Sequence, residues 1–224
     1  LASPFLLRSV DPPLSETEGK EITRFRRMGT RIVWEFSGDL FLVLHLRIAG
    51  RLRWKKGGAK VPKKVGLAAF DFDEGTVMLT EAGSIKRASL YVVRGDADLA
   101  AHDPGGLEVL ECSRDEFAER LRRENHTIKR SLTDPRLFSG IGNAYSDEIL
   151  HHARMSPYKW TTRLSDNEID TLFESTREVL TRFAGILRDE VGEGFPDRVT
   201  AFRREMAVHG KDGEPCPACG APVQ

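Results

Sequence analysis

Apolar and polar positions alternate in short runs through the first half of the chain and recur at a helical spacing through the second. Between Ile22 and Val93 lie the runs Arg31-Ile-Val-Trp-Glu-Phe36, Leu40-Phe-Leu-Val-Leu-His-Leu46, Leu67-Ala-Ala-Phe-Asp-Phe72, Thr76-Val-Met-Leu-Thr80 and Ser89-Leu-Tyr-Val-Val93. Each is rich in β-branched and aromatic residues and bounded by Gly, Asp or Lys, which predicts strands. Ser37-Gly-Asp39 and Asp73-Glu-Gly75 supply turn residues between strand pairs, so the first half reads as an antiparallel β-sandwich. After Asp103-Pro-Gly-Gly106 the period changes. Ser113 with Glu116 makes a capping box ahead of Phe117 and Leu121. Ser165 with Glu168 repeats it ahead of Ile169, Leu172, Val179, Phe183 and Leu187, one apolar stripe on a scaffold helix that ends near Gly192. From Gly194 the composition turns to Gly, Pro and charge, and no internal repeat is present. The class expected is α+β, with a β-sandwich domain over 1–106, a helical domain over 107–194, and a linker with a terminal cysteine hairpin over 195–224.

Composition narrows this only slightly. A chain of 224 residues with 40% hydrophobic content buries a real core. Its most apolar stretch, Leu40 to Leu46, has the length of a strand, not of a membrane span. Leu1-Ala-Ser-Pro4 lacks the pattern of a secretory signal, and three cysteines make no disulfide framework. A soluble, monomeric protein of a reducing cytoplasm is expected. Lys plus Arg and Asp plus Glu each number 34, a balance that argues mildly against a nucleic-acid binder. The total conceals a local excess, because Arg51, Arg53, Lys55, Lys56, Lys60, Lys63 and Lys64 fall together with no acid among them. Read alone, that run is a solvated hairpin loop.

The most informative stretch runs from Leu132 to Pro157. Leu137 and Phe138 are expected to close one short helix, Gly140 and Gly142 to flank Ile141 in a tight turn, and Asn143 to open a second helix with Ile149 and Leu150 inward. A helix start exposes unsatisfied N–H groups where the macrodipole favours an anion, and Asn143 adds a side-chain donor. Phosphate contact without base readout is the use such a turn suits. A generic Gly-x-Gly-Asn is equally a close helix crossing with an ordinary cap.

The whole stretch is not generic. With Asp134, Gly140, Gly142, Asn143, Tyr145, Asp147 and Glu148 in place, it resembles the helix-two-turn-helix signature of the formamidopyrimidine-DNA glycosylase and endonuclease VIII family. The resemblance extends in order over nearly the whole chain. It implies DNA repair by a bifunctional glycosylase and lyase that everts and excises an oxidised base from damaged duplex DNA. Within His45-Leu-Arg-Ile-Ala-Gly-Arg51-Leu52, Ile48 takes the place of the residue that fills the gap left by the everted nucleotide, with Arg51 on the same segment. Lys129 and Asn143 stand at the family's backbone contacts, with Gly142 in the turn, while Glu148 is expected to brace that turn. Arg26-Arg-Met-Gly-Thr30 matches a strand start in which the family carries lysine where this chain has Thr30, so that Arg31 or another cation must replace it. Glu81-Ala-Gly-Ser-Ile-Lys-Arg87 differs throughout from the family's loop facing the undamaged strand, and Arg87 is its candidate contact.

Cys216-Pro-Ala-Cys219 after Gly210-Lys-Asp-Gly-Glu-Pro215 matches the first knuckle of the family's four-cysteine zinc hairpin. Tetrahedral zinc takes four ligands, of which this pair supplies two. Cys112, about a hundred residues away at a helix edge, is not a candidate third. The family's nucleophile is an amino-terminal proline followed by glutamate, a secondary amine whose iminium is a good electron sink. The start of this chain reads like the second strand of the family's sandwich, which places that proline and glutamate, and the second pair of zinc ligands, outside this sequence. Pro4 has no following carboxylate and is not nominated. His45 reads as a satisfied strand histidine, and His151 and His152 are adjacent on one helix and diverge. A non-catalytic DNA-binding module using the same helical fold is the alternative, disfavoured by the His-Leu-Arg-Ile-Ala-Gly segment.

Overall fold

The computed structural model describes residues 1–196 and 199–224. They form two compact units, Leu1–Asp103 with Glu193–Val199, and Pro104–Gly192 with Thr200–Gln224.

The first unit contains seven strands: β1 (Ile22–Met28), β2 (Arg31–Phe36), β3 (Leu40–His45), β4 (Gly50–Lys55), β5 (Gly66–Phe72), β6 (Gly75–Glu81) and β7 (Ser89–Arg94). Two antiparallel sheets, ordered β1-β2-β3-β7 and β4-β6-β5, make the expected sandwich. Alternation sets the register. Trp34, Leu40, Leu42 and Leu44 from one sheet meet Ala68, Val77 and Leu79 from the other in a shared core, while Val33, Phe41, Val43 and Val93 point the opposite way. A short helix, α1 (Gly95–Ala100), covers that outer face with Leu99. This accounts for the unbroken apolar run of β3, which is buried on both faces.

Four expectations need correction here. The cationic run is not wholly a loop, since Gly50–Lys55 is strand β4. Its Arg51, Arg53 and Lys55 alternate with Leu52 and Trp54, and only residues beyond Lys55 leave the sheet. The amino-terminal segment forms no strand. Leu7 makes one isolated parallel bridge to Leu90, because Pro4, Pro12 and Pro13 offer no N–H to a ladder. The apolar pattern shows neither helix α1 nor strand β1, of which the family resemblance marks only Arg26–Met28, because Arg24, Arg26 and Arg27 break the alternation of a half-buried strand. Leu137 and Phe138 do not close a helix. The helix stops at Thr133; Leu137 lies in the following turn and Phe138 in an isolated bridge to Leu107, both buried.

The second unit holds α2 (Arg114–Arg122), α3 (Ile128–Thr133), α4 (Asn143–His152) and α5 (Asp166–Val191). Both predicted capping boxes are present, Ser113 with Glu116 and Ser165 with Glu168. Helix α5, about 39 Å long at 1.5 Å per residue, buries Ile169, Leu172, Phe173, Thr176, Val179 and Phe183 along one stripe and ends at Gly192 with φ 53°. Phe117 packs on Phe138 and Phe173 at ring-centre distances of 4.8 and 5.4 Å. No helix among the described residues is long and apolar enough to cross a membrane.

Glu148 was expected to brace the two-glycine turn, but it does something else. Its carboxylate, on a residue 2% exposed, accepts hydrogen bonds from the backbone N–H groups of Ala207 (2.6 Å), Val208 (2.9 Å) and His209 (2.9 Å). It faces inward because Ala144, one turn earlier, shares its buried side of α4, and so it reaches the returning segment rather than the turn. Replacing Glu148 by Ala leaves three half-buried donors without their shared acceptor. The expected cost is about 3 kcal/mol or more, read as a lower urea midpoint at unchanged slope, with amide exchange at 207–209 rising first. Unchanged exchange there would refute the clasp.

Candidate nucleic-acid interface

The two-glycine turn is anchored from below and open above. Leu137, Phe138 and Ile141 are buried in the helical core. Asp134 closes α3 by holding Arg136 through its backbone N–H (2.9 Å) and its guanidinium (2.6 Å). That guanidinium holds the Asp134 carboxyl below the usual carboxylate range. Gly140 takes φ 75°, a left-handed backbone that admits glycine best. Gly142 is extended (φ −104°, ψ −176°) and is the N-cap of α4. A Cβ on it would meet no atom within 4 Å, so its contribution is an unobstructed approach.

Helix α4 differs from α2 and α5 in having no side-chain cap and no acid in its first turn. Its amino-terminal N–H groups and partial positive charge therefore face outward uncompensated. Asn143 is exposed beside them, and no described residue hydrogen-bonds its side chain. One turn along the same face, Asp147 accepts from the Lys129 ammonium on α3 (Nζ to Oδ1, 2.7 Å) and pairs with His209 Nδ1 (2.8 Å). The ring of His209 stacks on Phe202 at 5.6 Å and 25°. Lys129 is thus not a free cation, but part of a chain with Asp147 and His209. The spacing from Asn143 to Asp147 was a legible signal for Asp147. Nothing local pointed to His209, which lies 62 residues further on.

In the β unit, Ile48 stands in the turn between β3 and β4 with 78% of its surface exposed. The turn is tightly made. Arg47 takes φ 57°, a conformation that costs a non-glycine residue about 1 kcal/mol. A Cβ on Gly50 would sit 2.3 Å from the Leu46 carbonyl oxygen, so only glycine fits. Arg51 turns back to donate to the carbonyls of Ile48 (3.0 Å) and Gly50 (2.7 Å). At the base of the turn, Thr30 Oγ1 lies 3.1 Å from His45 Nε2. Burial, then Arg47 and Arg31, lower the pKa of His45 to about 4, which leaves the imidazole neutral near pH 7. Where the family pattern has lysine, this chain therefore has a neutral Thr–His pair with Arg31 and Arg47 close by. Arg87 is exposed on the loop after β6, and its backbone N–H donates to the Glu81 carboxylate (2.9 and 3.0 Å). Arg51, Arg53, Lys55 and Lys60 wall a cleft of about 420 Å³ floored by Met78 and Val65.

Cys216 and Cys219 form a tight knuckle. Cys216 N–H donates to Ala221 O (2.7 Å), Gly220 N–H to Cys216 O (2.8 Å), and Ala218 N–H to Cys216 Sγ (3.4 Å). The Ala218 amide, followed by His151 at 3.3 Å from the sulfur, brings the Cys216 thiol down to about 7. Adjacent His152 points elsewhere, to Ser175 (3.0 Å) and Glu178 (3.3 Å). Among the described residues, no three or more His, Cys, Asp or Glu side chains gather as a metal site. Cys112 is buried.

Comparison with known proteins gives a consistent result across both units. Residues 6–82 match the model of the formamidopyrimidine-DNA glycosylase N-terminal domain, and residues 106–191 that of the formamidopyrimidine-DNA glycosylase H2TH domain. The formamidopyrimidine-DNA glycosylase of Pelotomaculum thermopropionicum is 32% identical over 232 aligned positions, covering 97% of this chain and 81% of that protein. The Listeria innocua enzyme is 27% identical, covering 92% and 77% respectively. Two solved Lactococcus lactis structures, one complexed with DNA containing Fapy-dG and one with DNA containing an abasic site, each superpose with a TM-score of 0.79 at 27% and 28% identity. Each covers 94% of this chain and 78% of its own. With both domain models matched in order and the geometry of the turn in place, this chain belongs to the formamidopyrimidine-DNA glycosylase family.

Proposed function

We propose that this chain grips damaged duplex DNA and serves base excision, in which an oxidised base is everted and excised and the strand is cut at the resulting abasic site. The observation that carries the reading is the uncapped start of α4, an anion site with Asn143 exposed beside it. Support comes from the Lactococcus lactis relatives, which hold DNA with Fapy-dG or an abasic site. In this reading the amides of α4 and the Asn143 side chain take one phosphate, and Gly142 lets it approach. Lys129, oriented by Asp147, faces the same backbone. Ile48 fills the space of the everted nucleotide on a turn held by Arg51, and Arg87 faces the opposite strand. The work divides between a wedge-bearing domain over 1–106, a backbone grip over 107–194 and a thiol hairpin over 195–224.

The thiol pair is the finer part of the proposal. Cys216 and Cys219 sit in a loop whose amides point at sulfur, an environment that favours thiolate and a thiophilic cation. We assign them to one half of a structural zinc site, where the ion would tie the hairpin together and take no part in the reaction.

Two measurements test these assignments. In anisotropy titrations with an abasic-site duplex, Asn143→Ala is expected to weaken binding about tenfold, the worth of one hydrogen bond to a charged group, without changing the slope of log K against log salt. Lys129→Ala weakens binding more, because it also uncovers the Asp147 carboxylate, and lowers that slope by about 1. Both variants binding like the parent would sink the proposed grip. Borohydride trapping on the same duplex then separates chemistry from grip: a covalent adduct identifies an attacking amine in this chain, and binding without an adduct assigns it the grip alone. For the hairpin, alkylation of Cys216 followed by peptide mass should reach half its maximal rate near pH 7 rather than near 9, and zinc should protect both thiols. A midpoint near 9 with no protection would remove the zinc assignment.

A further inference from the structure

Lys129 shares its carboxylate partner with a histidine. Its ammonium lies 2.7 Å from Asp147 Oδ1, and the other oxygen of the same carboxylate lies 2.8 Å from His209 Nδ1. Asp147 therefore stands between a lysine that is cationic throughout the neutral range and an imidazole, the side chain whose charge changes between about pH 5 and 8. With the imidazole neutral, the charges of Lys129, Asp147 and His209 cancel. With it protonated, two cations share one carboxylate and the trio carries a net positive charge.

The imidazole is fixed in place. Its backbone N–H is one of the three that Glu148 accepts, the Phe202 ring stacks on it, and its side chain is 14% exposed. A carboxylate can only accept, so the Nδ1 of His209 carries the proton in the neutral ring and Nε2 is bare. Protonation therefore adds charge without breaking the bond to Asp147. Charged groups on the neighbouring elements are otherwise engaged. On α4, Glu148 holds the backbone of His209 and His151 is turned to Cys216. On the returning segment, Arg203 pairs with Glu190 and Glu205, and the Lys211 ammonium donates to the Arg204 carbonyl (3.3 Å). From α3, Lys129 reaches the ring through Asp147.

We propose that His209 is a positioning residue of the DNA grip: when protonated, its imidazolium takes over Asp147, and the Lys129 ammonium is released to a phosphate of the duplex. The inference rests on the DNA reading above and adds to it a proton. Drawing Lys129 away from Asp147 costs least when a second cation stays behind on the carboxylate. Binding and protonation therefore favour each other, so the duplex is bound with uptake of a proton and more tightly as pH falls through the imidazole range.

The test titrates the 224-residue chain with an abasic-site duplex by anisotropy, over a series of salt concentrations, at about pH 6 and about pH 8. At one low salt concentration the parent should bind about tenfold more tightly at the lower pH, with a slope of log K against log salt steeper by about 1, as for one further phosphate neutralised. His209→Asn sets an amide donor where Nδ1 stands but takes up no proton, and its affinities at the two pH values should differ little. Asp147→Asn removes the carboxylate that holds Lys129, so its slope at the higher pH should already equal the slope of the parent at the lower one. Thermal melting reports whether each variant is folded, and where His209→Asn is not, Asp147→Asn decides. Equal parent affinity at both pH values, or a gain that survives in His209→Asn, would overturn the role of His209 and leave the DNA reading standing. A gain that survives in full in Asp147→Asn would overturn it too, since the imidazole would then act without Asp147. A parent that binds the duplex at neither pH would overturn the DNA reading itself.

Discussion

Three consecutive backbone amides, those of Ala207, Val208 and His209, belong to no helix or strand. Their segment is held to the helical core by Met206, 1% exposed, and unpaired amides beside it would be costly. Glu148 takes all three, and much of the helical unit's geometry depends on that one carboxylate. Ala144, Ile149 and Leu150 in the core set the rotation of α4 about its axis, and Glu148 lies on the same buried side. With Ala144 and Glu148 turned inward, the line through Asn143, Asp147 and His151, each one turn from the next, is turned outward. That line meets Lys129 and His209 at its middle and Cys216 at its far end. With that side buried, the open helix start, the lysine beside it and the thiol knuckle fall along a single helix face.

In the β unit the equivalent constraint is the demand of turn carbonyls for donors. Arg51 and Lys86 each satisfy two carbonyls of their own loops, and Glu81 satisfies two amides. Arg51 and Lys86 are used as internal struts, while Arg47, Ile48, Ile85 and Arg87 are left exposed.

The electrostatics are local throughout. A net charge of zero coexists with a β4 strand whose outward positions are Arg51, Arg53 and Lys55, with a helix start lacking both cap and acid, and with a histidine kept neutral by two arginines and burial. Because screening limits exposed charges to about 8–10 Å of reach, it is these neighbourhoods and not the total that an approaching polyanion meets. Thr30 and His45 form a neutral pair with Arg31 and Arg47 beside it.

Much of this was legible from residues close together in sequence. Capping boxes act over three residues, strand alternation over two and a helical stripe over three or four, so the sandwich strands β2, β3, β5, β6 and β7, the starts of α2, α4 and α5, and the two-glycine turn were all readable, as was the family through its motif. Strand β4 was hidden because alternating Arg and Lys imitate a solvated loop, and β1 and α1 because an arginine-rich edge strand and a six-residue helix carry too weak a period. The partners of Glu148 and Lys129, the meeting of His151 with Cys216, and the pairing of Gly50 with Glu81 were decided only by tertiary structure. Each joins residues between 18 and 65 apart or rests on which way a helix is turned, and side-chain periodicity holds no record of either. The sequence by itself determined the elements, their order and the turn open to an anion; the fold decided which charges remain free to meet one.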